Sequence, residues 1–263
     1  MTISLGLMMF PALMILIFIG FPVAFSLFGV AVLFGYIRFG DVLVHQLIAK
    51  VDDVASYYVL SAVPLFIFMG CMLEKSGVSE KLFEAVHLVT RKLPGGLAIA
   101  TVVLCVFFAA ASGVVGAAES VVGLMVISVM LRHGYDKGLI SGTICAGGSL
   151  GTIIPPSVVV VILSPIAGVG VGNLFVGIMF PGLILAGLYI VYILLRCSIW
   201  PEDGPSVDDG DSYGSIASQA WVVLSSLVPL FGLIFSVLGT IMLGWATPTE
   251  AGAMGAIGTI ILT

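Results

Sequence analysis

The sequence predicts an all-α, polytopic membrane protein that contains a re-entrant helical hairpin and a broken helix. Sixty per cent of the 263 residues are hydrophobic, only 9% are charged, and the mean hydropathy is +1.26. A soluble domain is about half apolar and about a quarter charged, so this excess indicates an integral membrane protein. The apolar runs are long and continuous, which favours helices over the short alternating strands of a membrane barrel.

Composition also bears on function. The formal net charge of −5, without any basic patch, argues against nucleic-acid binding. The four cysteines form no C-x-x-C pair and the three histidines have no metal-ligand spacing, so no metal site of that kind is predicted. The first apolar stretch, residues 3–25, lacks a basic n-region and a small-residue cleavage motif, so we expect a retained membrane helix.

The first part of the chain divides into short predicted helices. Gly20-Phe21-Pro22 separates helices near 4–20 and 22–37, and a polar segment follows at 38–53. Another membrane helix is predicted at about 55–73. Residues 78–92 place Leu82, Val86 and Val89 on one face and charges on the other, which predicts an amphipathic helix lying in the membrane interface.

Two short apolar pieces, about 97–111 and 117–131, follow. Each holds about 15 residues and covers about 22 Å, less than the ~30 Å hydrocarbon core. Ser112, Gly113 and Gly116 mark a turn between them. Basic residues lie at both outer ends: Arg91, Lys92, Arg132 and Lys137. If these charges share the cytoplasmic side, the segment enters and leaves by one face, which favours a re-entrant hairpin over two spanning helices.

The next segment, 138–168, carries Pro155 and Pro156 in an apolar run and is predicted to be a broken helix. Residues 138–150 form one half, Gly151 to Ser157 an unwound middle, and 158–168 the other half. Proline donates no backbone hydrogen bond, and the residue before it avoids the α region. Unwound backbone is tolerated at membrane depth where it lines a protein-walled or water-filled cavity, so the break predicts a partner.

The remaining elements are a spanning helix at 173–196, an acidic polar loop at 197–219 and a helix at 220–244. The loop holds five acids and no base in residues 197–215, which is typical of a solvated connector. "TPTE" at 247–250 predicts a capping box that opens a last helix. That helix receives about 16 of the about 20 residues a span requires, so we expect the chain to be truncated.

Candidate binding residues cluster at the two interruptions. Glu119 is an acid inside an apolar piece, which predicts a functional group facing a cavity; the alternative is a side chain that snorkels or is protonated. The hydroxyls of Ser112, Ser120, Thr152 and Ser157 and the unwound carbonyls are oxygen donors suited to Na⁺, whereas a half-helix N-terminus suits an anion. The alternative for each hydroxyl is a hydrogen bond to its own backbone. Glu250 is also an acid beside an apolar run, but the predicted capping box explains its presence without a binding role.

Several blocks of sequence resemble a known family. They are "AVPLFIFMGCMLEKSGVSEKL" (62–82), "AAASGVVGAAESVVGLM" (109–125), "LRHGYDKGLISGTICAGGSLGTIIPPSVVVVIL" (131–163), "GNLFVGIMFPGLILAGLY" (172–189) and "TPTEAGAMGA" (247–256). Together they resemble the large membrane subunit of tripartite ATP-independent periplasmic (TRAP) transporters, closest to the mannitol/chloroaromatic compound branch. The resemblance covers nearly the whole chain, and the G-T-I-I-P-P-S and T-P-T-E-A blocks are specific.

The resemblance implies a multi-pass subunit of the bacterial inner membrane in a Na⁺-driven symporter of organic acids. It also implies an elevator-like transport domain, a small four-helix membrane partner and a periplasmic substrate-binding protein. Members carry inverted repeats, each with a re-entrant hairpin and a broken helix. Here the first hairpin tip would run from Ser112 to Ser120 and its broken helix from Gly147 to Ser157. Glu119 stands where we expect a small or apolar residue in this family, so the resemblance implies no role for it.

The predicted organisation is therefore a first repeat at 1–196, the acidic loop at 197–219, and an incomplete second repeat at 220–263. The second hairpin and second proline-containing break would follow Thr263. An ion channel that uses the same broken helices, or a non-functional fragment, is the alternative. An enzyme is not predicted, because an intramembrane protease that used Ser112 would need a partner at membrane depth and every histidine lies in a polar segment.

The predicted binding residues lie at the hairpin tip and the helix break. They are Ser112, Gly113, Gly116, Glu119, Ser120, Gly148, Gly151, Thr152, Pro155, Pro156 and Ser157. Among them, Ser112, Thr152 and Ser157 are the predicted Na⁺ ligands. No organic cofactor is predicted, and the expected partners are the two TRAP components, the organic-acid solute and the lipid bilayer.

Overall fold

A computed structural model describes residues 2–113, 117–206 and 216–263, and every regular element in those ranges is helical. The chain divides into two compact units, Met1–Tyr57 and Tyr58–Thr263. Among the described residues, three stretches are long and apolar enough to cross a membrane, or four if one bent helix pair counts as a span. The predicted class, an all-α polytopic membrane protein, is confirmed.

The first unit holds three helices: α1 (Thr2–Ile19), α2 (Val23–Phe39) and α3 (Val42–Ala55). The predicted break between the first two helices is confirmed, with Gly20 at φ 103°. The segment predicted only as polar folds largely as α3. Its Leu43 is buried against Gly35 of α2, where an added Cβ would lie 2.8 Å from the leucine Cδ1.

The second unit begins with a 3₁₀ turn (Tyr58–Ser61) and holds the remaining helices. They are α4 (Ala62–Lys75), α5 (Val78–Thr90), α6 (Gly96–Ser112), α7 (Ala117–Arg132), α8 (Lys137–Ile153), α9 (Val158–Ala167), α10 (Val171–Ile199), α11 (Ile216–Ile234), α12 (Thr240–Met242) and α13 (Pro248–Leu262). A single π-helical turn, Phe235–Gly239, joins α11 to α12. Helix α6 lies among its neighbours, in contact with α4, α5, α7, α8, α10 and α11.

The prediction of which residues form the apolar face of α5 is partly wrong. Leu82 and Val86 are buried against the bundle, as expected, but Val89 is 66% exposed and Ala85 is buried in its place. The helix packs against both α6 and α11. Three-residue spacing from Val86 therefore overestimates the width of the buried face, because its far edge turns away from these two neighbours.

The last part of the unit follows the prediction closely. Helix α10 extends beyond the predicted 173–196 to Ile199, and α11 begins at Ile216, so the connector is shorter at both ends than 197–219; residues 207–215 lie outside the described part. The capping box is confirmed: the Thr247 amide donates to Glu250 Oε2 at 2.8 Å, and Glu250 donates its amide to Thr247 Oγ1. Helix α13 packs along α4 through Gly252 and Gly255.

Candidate functional site

The predicted helix break is present and is shorter than expected. Helices α8 and α9 meet at an angle of 42° across residues 154–157. Ile154 leaves the helix with extended dihedrals (φ −80°, ψ 123°), and the Pro155–Pro156 peptide bond is cis. Gly151 and Thr152, predicted to be unwound, remain helical. Proline removes a donor to the carbonyl four residues earlier, and it leaves the amides of the preceding helical turn unaffected.

The prolines leave oxygen atoms at the end of α8 without their usual partners. Pro155 and Pro156 cannot donate to the carbonyls of Gly151 and Thr152. Ser157 Oγ donates to the Thr152 carbonyl at 2.9 Å instead. The Thr152 hydroxyl in turn donates to the Ser149 carbonyl at 2.7 Å. Each hydroxyl therefore uses its single O–H group in a hydrogen bond to the backbone, and its oxygen lone pairs can still face a cation.

The hairpin tip packs directly on this break. Gly113 ends α6 with a left-handed conformation (φ 60°), and its carbonyl accepts the Val158 amide at 3.2 Å. A Cβ at Gly113 would collide with the carbonyl oxygen of Pro156. The predicted hairpin and the predicted break thus form one junction, in which Ser157 is fully buried.

Helix α10 gives the depth of the junction. Gly182 of α10 packs on Ile153 and Ile154, with an added Cβ 3.0 Å from the Ile153 Cγ2. At 1.5 Å per residue, Gly182 lies about 17 Å from the Val171 end of the helix and about 26 Å from the Ile199 end. The hairpin tip therefore stops partway along a helix long enough to span the bilayer. A re-entrant hairpin is compatible with this depth and stays a prediction.

The hairpin mouth lies at the Ile199 end of α10. Leu97 lies at the start of α6, and Tyr135 follows the end of α7. The Leu97 amide donates to Tyr135 Oη at 3.2 Å. Burial raises the pKa of Tyr135 to about 12. The connector that follows α10 closes over the mouth, because Gly95 donates its amide to the Gly204 carbonyl at 3.0 Å. Both arms of the hairpin thus begin and end at one level.

Glu119 lies in the first turn of α7 and packs on Gly148 of α8. A Cβ at Gly148 would collide with the glutamate Cγ, Cδ and Oε1 atoms. The adjacent Gly147 receives Cys105 of α6, whose Sγ would lie 2.7 Å from an added Cβ. Within the described ranges, the Glu119 carboxylate has neither a basic partner nor a hydrogen bond. Gly148 is one helical turn from Thr152, which places this acid close to the break.

The structure brings most of the predicted site residues together. Gly113, Pro155, Pro156 and Ser157 form the junction, and Gly151 and Thr152 form the last turn of α8 before it. Ser120 is exposed at the start of α7. Gly116 and the Ser112 side chain lie outside the described residues. The Na⁺ ligand set stays a prediction.

Sequence reasoning assigned no role in the site to Gly147, Val158 or Gly182. All three act through backbone or close helix contact: Gly147 admits Cys105, Val158 binds the Gly113 carbonyl, and Gly182 admits the end of α8. The small residues at 147 and 182 are a signal of close helix packing in membranes. The signal does not indicate which partner approaches.

Comparison with known proteins follows the same segments. Residues 10–263 match the family described as tripartite ATP-independent periplasmic transporter, DctM component. The chain is 34% identical over 242 residues to the C4-dicarboxylate TRAP transporter large permease protein DctM of Vibrio cholerae, covering 91% of this chain and 51% of that protein. The DctM protein of Pseudomonas aeruginosa is 34% identical over 216 residues, covering 81% and 48%.

A third relative differs in its solute. The isethionate TRAP transporter permease protein DctMQ of Oleidesulfovibrio alaskensis is 30% identical over 247 residues, covering 93% of this chain and 37% of that protein. The chain spans about half the length, or less, of these three relatives. The family match, over residues 10–263, includes the hairpin, the break and the helices that hold them.

Proposed function

The chain belongs to the DctM component family of tripartite ATP-independent periplasmic transporters, and from that premise we propose that it acts in the large membrane subunit of a Na⁺-driven importer of organic acids. It is a multi-pass protein of the bacterial inner membrane. The observation that carries the proposal is the junction between the Gly113 hairpin tip and the break at Pro155–Ser157.

In this proposal, Na⁺ binds to oxygen atoms at this junction. The Ser157 and Thr152 hydroxyls each donate a hydrogen bond to a carbonyl, so their oxygen lone pairs remain free to bind a cation. The Gly151 carbonyl receives no hydrogen bond from residue 155, because Pro155 has no amide N–H. Hydroxyl and carbonyl oxygens of unwound segments are the usual ligands of Na⁺ in secondary transporters. The side chain of Ser112 is proposed as the further ligand from the hairpin.

The solute carboxylate binds beside the ion, at the start of α9. The Val158 amide donates to the Gly113 carbonyl. The amides of Val159 and Val160 lie in the first turn of a ten-residue helix, where amides have no partner within the helix. Such amides, with the helix dipole, favour an anion. The bound cation orders the unwound carbonyls and lowers the cost of bringing a carboxylate to membrane depth. This coupling makes uptake depend on Na⁺.

The printed solutes of the relatives support an organic acid. Two are C4-dicarboxylate transporters and a third carries isethionate, which is also an organic anion. The tripartite description of the family supports two partners, a small membrane subunit and a periplasmic binding protein. The Glu119 side chain packs on Gly148, one helical turn before Thr152, and this acid is proposed to favour a cation at the junction.

Uptake by the transporter in proteoliposomes tests the proposal. The protein produced from its complete gene is reconstituted with both partners, and labelled succinate and isethionate are supplied with their binding protein outside. We expect saturable uptake that requires an inward Na⁺ gradient and fails when K⁺ replaces Na⁺. Uptake of equal rate without Na⁺ would contradict the coupling, and a large unitary conductance without binding protein would indicate a channel.

A further inference from the structure

A groove away from the junction opens between α8 and α10. Its volume is about 500 Å³, and α6 forms its floor through Val102. On the α8 side the wall consists of small residues, Gly138, Gly142 and Ala146, spaced one turn apart. A Cβ at Gly142 would meet no atom within 4 Å, so space remains where a side chain would project.

The groove changes in character from one end to the other. At the hairpin-mouth end it is lined by Arg196 and Tyr192 of α10, and at the deep end by Leu185 of α10 and Ala146 of α8. A cation and a tyrosine at the interface, followed by aliphatic side chains, match the profile of a lipid from headgroup to acyl chain. The exposed Lys137 precedes Gly138 at the same end.

Arg196 retains hydrogen-bond donors for a further partner. Its Nε and Nη2 atoms contact Asp203 Oδ2 at 2.9 Å, and Nη1 donates to Tyr192 Oη at 3.2 Å. A guanidinium has five N–H groups, so two remain. The side chain is 36% exposed, which leaves these groups accessible at the groove mouth. Guanidinium groups bind phosphate well because their fork matches its oxygens.

Thr143 supplies a polar group inside the groove. The residue is 4% exposed and lines the wall between Leu139 and Ala146. Its hydroxyl is a polar group in an otherwise apolar part of the wall, and a hydroxyl can donate a hydrogen bond to an ester carbonyl. Thr143 lies about 7 Å along α8 from Gly138, the depth of a glycerol ester below its phosphate.

The size of the groove distinguishes a lipid chain from a protein helix. One turn of an α-helix about 10 Å in diameter occupies about 420 Å³. The groove therefore holds little more than one turn, whereas a partner helix would have to lie along it for several. An apolar groove of this volume suits a single flexible acyl chain.

We propose that this groove binds one phospholipid. Its phosphate lies beside Arg196 and Tyr192, an ester carbonyl accepts a hydrogen bond from the Thr143 hydroxyl, and one acyl chain follows Ala146 and Leu185 toward the membrane interior. The bound lipid fills the space between α8 and α10, the two helices that meet again at the Gly182 contact with the break.

Native mass spectrometry of the transporter, purified in mild detergent and titrated with phosphatidylethanolamine, tests this proposal. We expect wild type to bind one lipid tightly and Gly142→Leu to weaken that binding by about tenfold, because the new side chain occupies the acyl path. The matched control is Gly187→Leu. Gly187 also has no atom within 4 Å of an added Cβ, yet it does not line the groove, so lipid binding should remain.

Headgroup variants separate the phosphate contact from the acyl contact. Arg196→Gln should weaken phosphatidylethanolamine binding several-fold and leave dioleoylglycerol binding unchanged, since that lipid has no phosphate. Lys137→Gln, which leaves the Arg196–Asp203 pair intact, provides a milder second variant. Equal lipid retention in Gly142→Leu and Gly187→Leu would overturn the proposal. So would loss of the small membrane subunit from Gly142→Leu with its lipid still bound.

Discussion

The Gly113 carbonyl accepts a hydrogen bond of 3.2 Å from the amide of Val158. One residue ends the first arm of the re-entrant hairpin, and the other begins the second half of the broken helix. This bond pairs a carbonyl at the end of α6 with an amide at the start of α9, so each group has a hydrogen-bond partner. Two interruptions that would each be costly in a membrane thus stabilise one another.

Gly113→Ala tests this junction. The substitution introduces a Cβ at a left-handed φ of 60° and drives it into the Pro156 carbonyl oxygen, so the tip and the break cannot keep their contact. We expect a lower melting temperature in detergent and loss of Na⁺-dependent uptake. The left-handed conformation alone costs about 1–2 kcal/mol, and the collision adds to it.

Gly134→Ala is the matched control. Gly134 has a similar positive φ of 77°, but an added Cβ there would meet nothing within 4 Å. Its destabilisation should therefore stay near the conformational cost alone, and uptake should survive. If the two alanine variants unfold at the same temperature and transport equally, the tip does not depend on contact with the break.

The residue patterns could predict much of this arrangement, since glycines and prolines report local backbone restrictions. Pro155 and Pro156 located the break, and Ser112 with Gly113 located the hairpin tip. The contact between the two places could not be predicted, because it depends on an amide and a carbonyl, which every residue has. The same limit explains why the prediction that Gly151 and Thr152 unwind is wrong: their amides still find partners one turn earlier.

Glu119 and Gly148 form a second testable pair. Gly148→Ala places a Cβ in the path of the Glu119 side chain, which must move away from α8. We expect this variant to be destabilised by about 1–3 kcal/mol, as for other overpacked sites. Adding Glu119→Ala should restore stability, since the colliding atoms are then absent. A double-mutant cycle of melting curves measures the coupling.

Glu119→Gln separates charge from packing at the same place. The amide keeps the shape of the side chain and removes its negative charge, so thermal stability should change little. We expect the Na⁺ concentration for half-maximal uptake to rise, because the proposed cation site loses a nearby negative charge. An unchanged Na⁺ midpoint would restrict Glu119 to packing against Gly148.

Tyr135 joins the mouth of the hairpin, and its removal should loosen that end. Tyr135→Phe leaves the Leu97 amide without its acceptor in a buried position, at an expected cost of about 1–3 kcal/mol. Tyr36→Phe, at a 57% exposed position, is the control and should be nearly silent. Melting temperatures of the two variants against wild type provide the measurement.

The same tyrosine predicts a pH dependence. Burial raises its pKa to about 12 from an ordinary value of 10.0, so the folded protein holds the phenol proton more tightly than the unfolded chain. The stability that the neutral phenol supports is complete below pH 10 and is lost as the pH rises toward about 12. Wild type should lose melting temperature over this interval more steeply than Tyr135→Phe. Parallel curves for the two proteins would contradict the assignment.

Ser157 and Ser164 separate a proposed ion ligand from a structural hydroxyl. Both are almost fully buried, and each donates to a carbonyl five residues away, Ser157 to Thr152 at 2.9 Å and Ser164 to Val169 at 2.7 Å. Alanine at either position should therefore cost a similar ~0.5–1.5 kcal/mol of stability. Only Ser157 lies at the break, so only Ser157→Ala should raise the Na⁺ midpoint of uptake, by about tenfold for a lost ligand worth ~1.4 kcal/mol. A Na⁺ titration of uptake by both variants decides the matter, because equal midpoints would assign the Ser157 hydroxyl to holding α8 against α9 and place the cation elsewhere.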